Sequence, residues 1–485
     1  MDTSLDTLAV STPFVAAPAR PRVRRASGAA RAGRAGGFIG GILLQVGLCA
    51  VVVILLLLTG KLGTYGRCFW ALLGLMVLRL AVLRRPEELL CLLLATAPFT
   101  NLLRDGAFYN VILVLFGGAL VLFYLRQPAV VKEILARAPL AQALVAFASF
   151  YYVFSLVLTG NYTANLRLFE LAGAVVSVLL IGRNRRLLGT ALLGMTIAAA
   201  TVGLGMLPHN DSVGRLGMVI LDGYSLGNPA QLGLSLALAF LALVVDRGRW
   251  VNLEDYPVGR LLLLVPMVTL LALTTSRVGW IVAAIGVLVA LLFRPRARFG
   301  IVLAIILATV AIRLVLLTPF GPALQAGLDR TFSSERSVAN RTSGRSDQWA
   351  VAYAAFTHSA RSLVCGYGPG SGATIYARFS PEVAGVRYGV GERRALHSLF
   401  MQVMVELGLL GLLPLVVWLG CVGGIILKWL RATGWMFPLV CFLGYGLIVL
   451  TVSGNDTASG TYMGIGLLAT LRPVRANPAE DRNHA

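Results

Sequence analysis

The stretch Arg393-Arg394-Ala395-Leu396-His397-Ser398-Leu399-Phe400-Met401-Gln402-Val403-Met404-Val405-Glu406-Leu407-Gly408-Leu409-Leu410-Gly411-Leu412 decides how the chain is read. Two arginines and a histidine stand directly before an apolar run ready to enter a membrane. The run lacks proline and is built mostly of good helix formers, so a helix is expected. On that helix His397, Met401, Val405 and Gly408 would share one face. Gly408 and Gly411 form a small-residue pair that would let a neighbouring helix approach closely. Arg393 and Arg394 suit an anionic, lipid-linked substrate; they also suit plain interfacial anchoring.

Working outward, the same alternation of long apolar runs and short basic turns fills the chain. Of 485 residues, 57% are hydrophobic and only 13% charged, with a mean hydropathy of +0.80. Apolar runs near the roughly 20 residues needed to cross a bilayer fall at about 38–60, 66–83, 88–102, 107–125, 139–160, 167–182, 187–206, 229–246, 260–275, 278–293, 299–318, 398–427, 435–453 and 458–471. The expected fold is therefore an all-α polytopic membrane protein with about 12–14 transmembrane helices. Short alternating segments of the β-barrel kind do not occur.

The net charge is +21, and lysine occurs only at Lys61, Lys132 and Lys428; the rest of the 42 basic residues are arginine. Most sit in short turns between apolar runs, which argues against a nucleic-acid partner. With the N-terminus inside, every inner turn is basic, so both ends are expected in the cytoplasm. The expected divisions are a disordered basic tail at 1–37, an N-terminal transmembrane bundle at 38–318, a periplasmic loop domain at 319–396, C-terminal transmembrane helices at 397–471 and a cytoplasmic tail at 472–485. The six cysteines suggest neither a disulfide framework nor a zinc site.

The loop is far longer than any other connection, and connections of that length are usually functional or structured. It contains Gly344-Arg345-Ser346-Asp347-Gln348-Trp349 and then Cys365-Gly366-Tyr367-Gly368-Pro369-Gly370-Ser371-Gly372. Glycines this dense let backbone amides approach an anion, or form a flexible surface turn. Two other turns on the same side carry arginine: Thr274-Thr275-Ser276-Arg277 and the 207–228 turn with Arg215, which ends Gly227-Asn228-Pro229. Guanidinium forks bind phosphate oxygens bidentately, so these arginines suit a diphosphate.

Over about residues 210–470 the chain resembles the O-antigen ligase and O-antigen polymerase superfamily of bacterial envelope glycosyltransferases. His397-Ser398, nine residues, Gly408, two residues and Gly411 is similar to the ligase signature of His-Asn/Ser/Gln, nine residues, Gly-x-x-Gly/Ser/Thr. Ser276-Arg277 resembles the family's Ser-Arg turn. Gly344-Arg345 with Trp349, followed by Gly366-Tyr367-Gly368, resembles the start of its long periplasmic loop. Gly227-Asn228-Pro229 resembles its Pro-Asn turn with the order reversed.

The resemblance implies a GT-C-like fold in the bacterial inner membrane, with the active site facing the periplasm. It implies metal-independent inverting transfer, without a cofactor, of a glycan from undecaprenyl diphosphate to a hydroxyl of lipid A core. His397 would be the catalytic base. Arg215, Arg277, Arg345, Arg393 and Arg394 would bind the diphosphate, with Glu406, Gly408 and Gly411 in support. An O-antigen or exopolysaccharide polymerase, which uses a lipid-linked glycan as acceptor, is the neighbouring alternative. A lipid-linked-sugar transporter is the alternative of another class; it should show an internal repeat and mid-membrane polar residues.

Overall fold

The fold is described from a computed structural model. It describes residues 26–83, 85–103, 109–159, 163–207, 216, 218–221, 224–245, 257–293, 344–387, 389–451 and 457–471, with scattered positions between 302 and 329. The expected tail segments 1–25 and 472–485, half of the expected span 299–318, and Arg215 lie outside the described residues.

The chain is helical almost throughout. Its described helices are α1 (Ala26–Thr59), α2 (Leu62–Val82), α3 (Pro86–Ala95), α4 (Ala97–Leu102), α5 (Tyr109–Arg126), α6 (Pro128–Arg137), α7 (Pro139–Thr159), α8 (Thr163–Ile181), α9 (Arg185–Met206), α10 (Pro229–Val244), α11 (Pro257–Leu273) and α12 (Arg277–Phe293). Three short helices follow in the long loop: α13 (Arg345–Thr357), α14 (Ala360–Cys365) and α15 (Gly372–Phe379). The chain closes with α16 (Leu399–Thr433), α17 (Phe437–Thr451) and α18 (Thr457–Leu468).

This is an all-α polytopic membrane protein. Among the described residues four helices are long and apolar enough to cross a bilayer, or five if the bent pair α5–α6 is one span, and six shorter apolar helices accompany them. The lipid-facing surface shows on α1, where Leu44, Leu48, Val51, Leu55 and Leu58 are exposed while Ile42, Val46, Cys49 and Val53 are buried. An exposed apolar stripe of this kind is stable only against hydrocarbon. On α10, by contrast, every residue from Leu232 to Leu243 is buried, so α10 is a central post of the bundle.

Glycines set how closely the helices pack. Gly460 and Gly464 of α18 form a small-xxx-small pair facing α8: a Cβ on Gly460 would lie 2.6 Å from the Ala174 Cβ, and one on Gly464 2.7 Å from the Val178 Cβ. Backbones in lipid associate through such contacts because no hydrophobic force drives apolar helices together there. Buried Glu170 of α8 strengthens the joint by accepting from the Thr457 backbone N–H (3.0 Å) and hydroxyl (2.8 Å) at the start of α18. A carboxylate there satisfies amides that have no partner within the helix and complements its dipole.

Several elements differ from expectation. Helix α1 begins at Ala26, ahead of the boundary placed at residue 37. The run 88–102 is two helices, broken at Thr96 just before Pro98. Residues 128–137, expected as a basic turn, form α6, bent 105° from α5. A small antiparallel hairpin, β1 (Val219–Leu221) with β2 (Tyr224–Leu226), lies in the 207–228 turn. The long loop has a core of its own, which the start of α16 joins. Its core residues Val351, Ala355, Phe356, Ile375, Tyr376 and Phe379 share one cluster with Met404 and Val405 of α16.

Candidate functional site

The site is assembled where the loop helices meet the first turns of α16. Ser398 caps that helix: its side chain accepts from the Met401 N–H at 3.3 Å and donates to the Val449 carbonyl at 3.1 Å. Helix α16 therefore starts after the histidine. His397 is exposed and sits just outside the helix with φ of +47°. The helical face expected to join His397, Met401, Val405 and Gly408 is corrected twice, because His397 precedes the first turn and Gly408 interrupts the helix with φ 61° and ψ −151°.

The break at Gly408 is the architectural centre of the site. A non-helical residue frees carbonyls in the preceding turn, and the loop fills them. The Tyr367 N–H donates to the Val405 carbonyl at 3.0 Å and the Gly368 N–H to the Glu406 carbonyl at 2.8 Å. Two glycines allow this contact. A Cβ on Gly408 would lie 2.6 Å from the carbonyl carbon of Val364, and one on Gly366 would lie 2.5 Å from that of Glu406. Gly408 thus does bring another element close, namely the end of α14. Gly411 does not: the group its Cβ would meet is the Leu407 side chain of its own helix, folded back because of the break.

Glu406 supplies the acceptor that the glycine-rich loop binds. Its carboxyl group is buried and accepts from the Gly370 N–H at 2.6 Å and the Gly372 N–H at 3.0 Å. Gln402, one turn earlier, donates to it at 3.3 Å, and the hydroxyl of Tyr151 on α7 donates to Oε2. Gln402 also donates to the Tyr151 hydroxyl at 2.9 Å. These bonds tie the loop, α16 and the N-terminal bundle into one unit, and Gly366 to Gly372 is neither a surface turn nor an open anion cradle.

Gly408→Ala tests this arrangement. It combines backbone strain of about 1–3 kcal/mol, because φ 61° with ψ −151° lies in a region essentially confined to glycine, with overpacking of about 1–3 kcal/mol. The variant is expected to lose about 2–6 kcal/mol, read as a lowered unfolding temperature in detergent. Unchanged stability would show that the junction between α14 and α16 is not close-packed.

The arginines separate into groups. Arg277 is the first residue of α12, held by a turn in which Thr275 adopts φ of +49°. A β-branched residue rarely tolerates that conformation, and the surrounding bonds hold it there: the Thr274 hydroxyl donates to the Leu271 carbonyl at 2.7 Å, and the Ser276 hydroxyl accepts from the Gly279 N–H at 3.3 Å. Arg345 opens α13 after left-handed Gly344. Burial holds the Arg345 guanidinium below the usual arginine range, and the nearby charge of Arg277 lowers it further. The two guanidinium groups are therefore near enough for each to feel the other's charge. Arg394 pairs with Glu392 (Nε to Oε2 2.9 Å), and Arg393 is exposed.

Among the described residues only Thr275 and His397 combine a positive φ with a side chain. One directly precedes Ser276-Arg277 and the other directly precedes Ser398. Held strain of this kind concentrates at functional sites. Sequence reasoning did not find Tyr151 or Gln402. Gln402 stands one helical turn from Glu406, a visible hint, whereas nothing in the sequence pairs Tyr151 with a residue so far away.

A comparison of the chain with curated proteins finds no match. Residues 262–416, which contain Arg277, Arg345, the glycine-rich loop, His397, Glu406 and Gly408, match the family described as O-antigen ligase. That segment is similar to the O-antigen ligase family, and this match supports the resemblance of the chain to the O-antigen ligase and polymerase superfamily.

Proposed function

We propose that the protein transfers a glycan from undecaprenyl diphosphate to a hydroxyl of lipid A core, at the periplasmic face of the bacterial inner membrane. The observation that carries this reading is the pairing of Arg277 with Arg345 inside the family domain. Two cations held together in a partly buried setting are costly unless an anion joins them. A diphosphate offers oxygens to both guanidinium forks.

The chemistry follows from the donor. The anomeric carbon already bears a diphosphate, so the reaction needs stabilisation of the departing charge and removal of one proton. His397 takes the proton of the acceptor hydroxyl; imidazole has a suitable affinity for it near neutrality. The acceptor oxygen bonds to the anomeric carbon as the bond from that carbon to the diphosphate oxygen breaks, with inversion. Undecaprenyl diphosphate leaves between Arg277 and Arg345. The network centred on Glu406 positions the loop from which Arg345 projects. Arg393 and Arg394 stand at the rim, and Arg394 is engaged by Glu392 in the absence of substrate.

Because arginines neutralise the leaving group, purified protein should keep its transfer rate in excess chelator. Loss of activity that magnesium or manganese restores would contradict the proposed role of the arginines. The acceptor is tested by deleting the gene. Full-length polymer accumulating on its lipid carrier supports the ligase reading, whereas accumulation of single lipid-linked repeats assigns the protein as a polymerase.

A further inference from the structure

Helix α16 marks where the hydrocarbon ends. It carries Arg431 in its last turn and Lys428 just before it. Counting back from Lys428 the roughly 20 residues that cross a bilayer reaches Gly408. Exposure changes at the same place. No residue from Leu399 to Leu409 is exposed, whereas Leu410, Leu413, Val416 and Val417 beyond the break are. An exposed apolar stripe of that kind faces lipid. The break at Gly408 therefore lies at the edge of the hydrocarbon, at the end of the span away from Lys428.

Helix α14 is packed against that edge. A capping box fixes its start: the Ser359 hydroxyl accepts from the Ser362 N–H at 3.1 Å, and the Ser362 hydroxyl accepts from the Ser359 N–H at 2.9 Å. Gly366, with φ of +70°, ends it. The close approach of Val364 to Gly408 sets that end level with the break. Ser362 is buried, and Leu363 packs on the core of the loop. Arg361, Val364 and Cys365 lie together on the other face, at i, i+3 and i+4, and all three are exposed. Val364 is 43% exposed.

We propose that α14 rests on the bilayer. Val364 and Cys365 enter the edge of the hydrocarbon, and Arg361, one turn away on the same face, reaches the phosphates of the lipid headgroups. Short apolar side chains at the depth of Gly408 beside a long cationic one match the step from hydrocarbon to anionic phosphate. The contact fixes the height of the long loop over the membrane. The competing reading is a valine exposed to water, since single apolar residues are common on wet surfaces. The depth of Gly408 favours lipid.

The test attaches a nitroxide to Cys365 in the full-length protein, reconstituted in vesicles of phosphatidylethanolamine and phosphatidylglycerol. Labelled Cys365→Ser protein is subtracted to remove the other cysteines, and Leu410→Cys and Glu392→Cys in that background mark lipid and water. Collisions with oxygen, which concentrates in hydrocarbon, are compared with collisions with a water-soluble nickel chelate. The ratio at Cys365 is expected to lie close to that at Leu410→Cys and about tenfold above that at Glu392→Cys, because hydrocarbon excludes the polar chelate. Arg361→Glu should lower the Cys365 ratio, and Arg361→Gln should lower it less. A Cys365 ratio equal to that at Glu392→Cys overturns the membrane contact. A ratio that neither Arg361 variant moves overturns the headgroup role of Arg361. The measurement needs no substrate, so failure of the transferase reading leaves its outcome unaffected.

Discussion

Replacing His397 by alanine or asparagine is expected to lower glycan transfer by about 10²–10⁴-fold, the range for removing a general base. The site makes the test clean. His397 is exposed and precedes the capped helix, so its side chain carries little packing. Its backbone does carry strain, with φ of +47°. Asparagine tolerates that conformation better than most residues, so His397→Asn removes the base while sparing the backbone. Both variants should bind the lipid-linked donor as wild type does. Near-normal turnover in His397→Asn, or loss of donor binding as complete as the loss of turnover, would show that His397 is not the base.

The second large effect belongs to the arginine pair. Arg345→Ala is expected to cut transfer by about 10²–10³-fold, comparable to removing a charge-stabilising donor from other active sites. Arg277→Lys keeps the charge and loses the fork; one charge-assisted hydrogen bond is worth about 1.5–3 kcal/mol, or roughly 10–100-fold. The two positions should also couple. If one diphosphate joins both guanidinium groups, the double alanine variant loses less than the sum of the single losses, as for residues acting on one partner. Strict additivity would mean that they do not share a ligand. Arg345→Gln should leave the empty protein as stable or more so, because burial and the Arg277 charge both oppose a cation there. A marked fall in unfolding temperature would assign Arg345 to structure instead.

Most of the membrane fold was legible because lipid imposes a simple code. A segment near 20 apolar residues must be a helix, since no water is present to satisfy its backbone, and the apolar runs at 187–206, 229–246 and 278–293 end within a few residues of α9, α10 and α12. Breaks were harder to read. Gly408 has helical neighbours on both sides, and what interrupts the helix is the backbone of Val364 and Gly366 packed against it, a contact that exists only in three dimensions. For the same reason the glycine-rich loop read as a cradle for an external anion, whereas the group its amides hold is the carboxyl of Glu406.

At the site, the motif arginines Arg277 and Arg345 were legible as cations on one side of the membrane, and their proximity became visible only when α12 and α13 were placed. Arg394 was legible as a cation too, and its ion pair with Glu392, two residues away, became visible in the structure.

We propose that the protein breaks the bond between glycan and undecaprenyl diphosphate rather than moving the intact conjugate. Proteoliposomes that contain the purified protein, a glycan linked to undecaprenyl diphosphate and a lipid A core acceptor distinguish the two when both products are measured together. One undecaprenyl diphosphate should be released for each glycan joined to the acceptor, and both products should be lost in His397→Asn. Glycan that reaches the opposite leaflet still attached to its carrier, with no undecaprenyl diphosphate released, would contradict it.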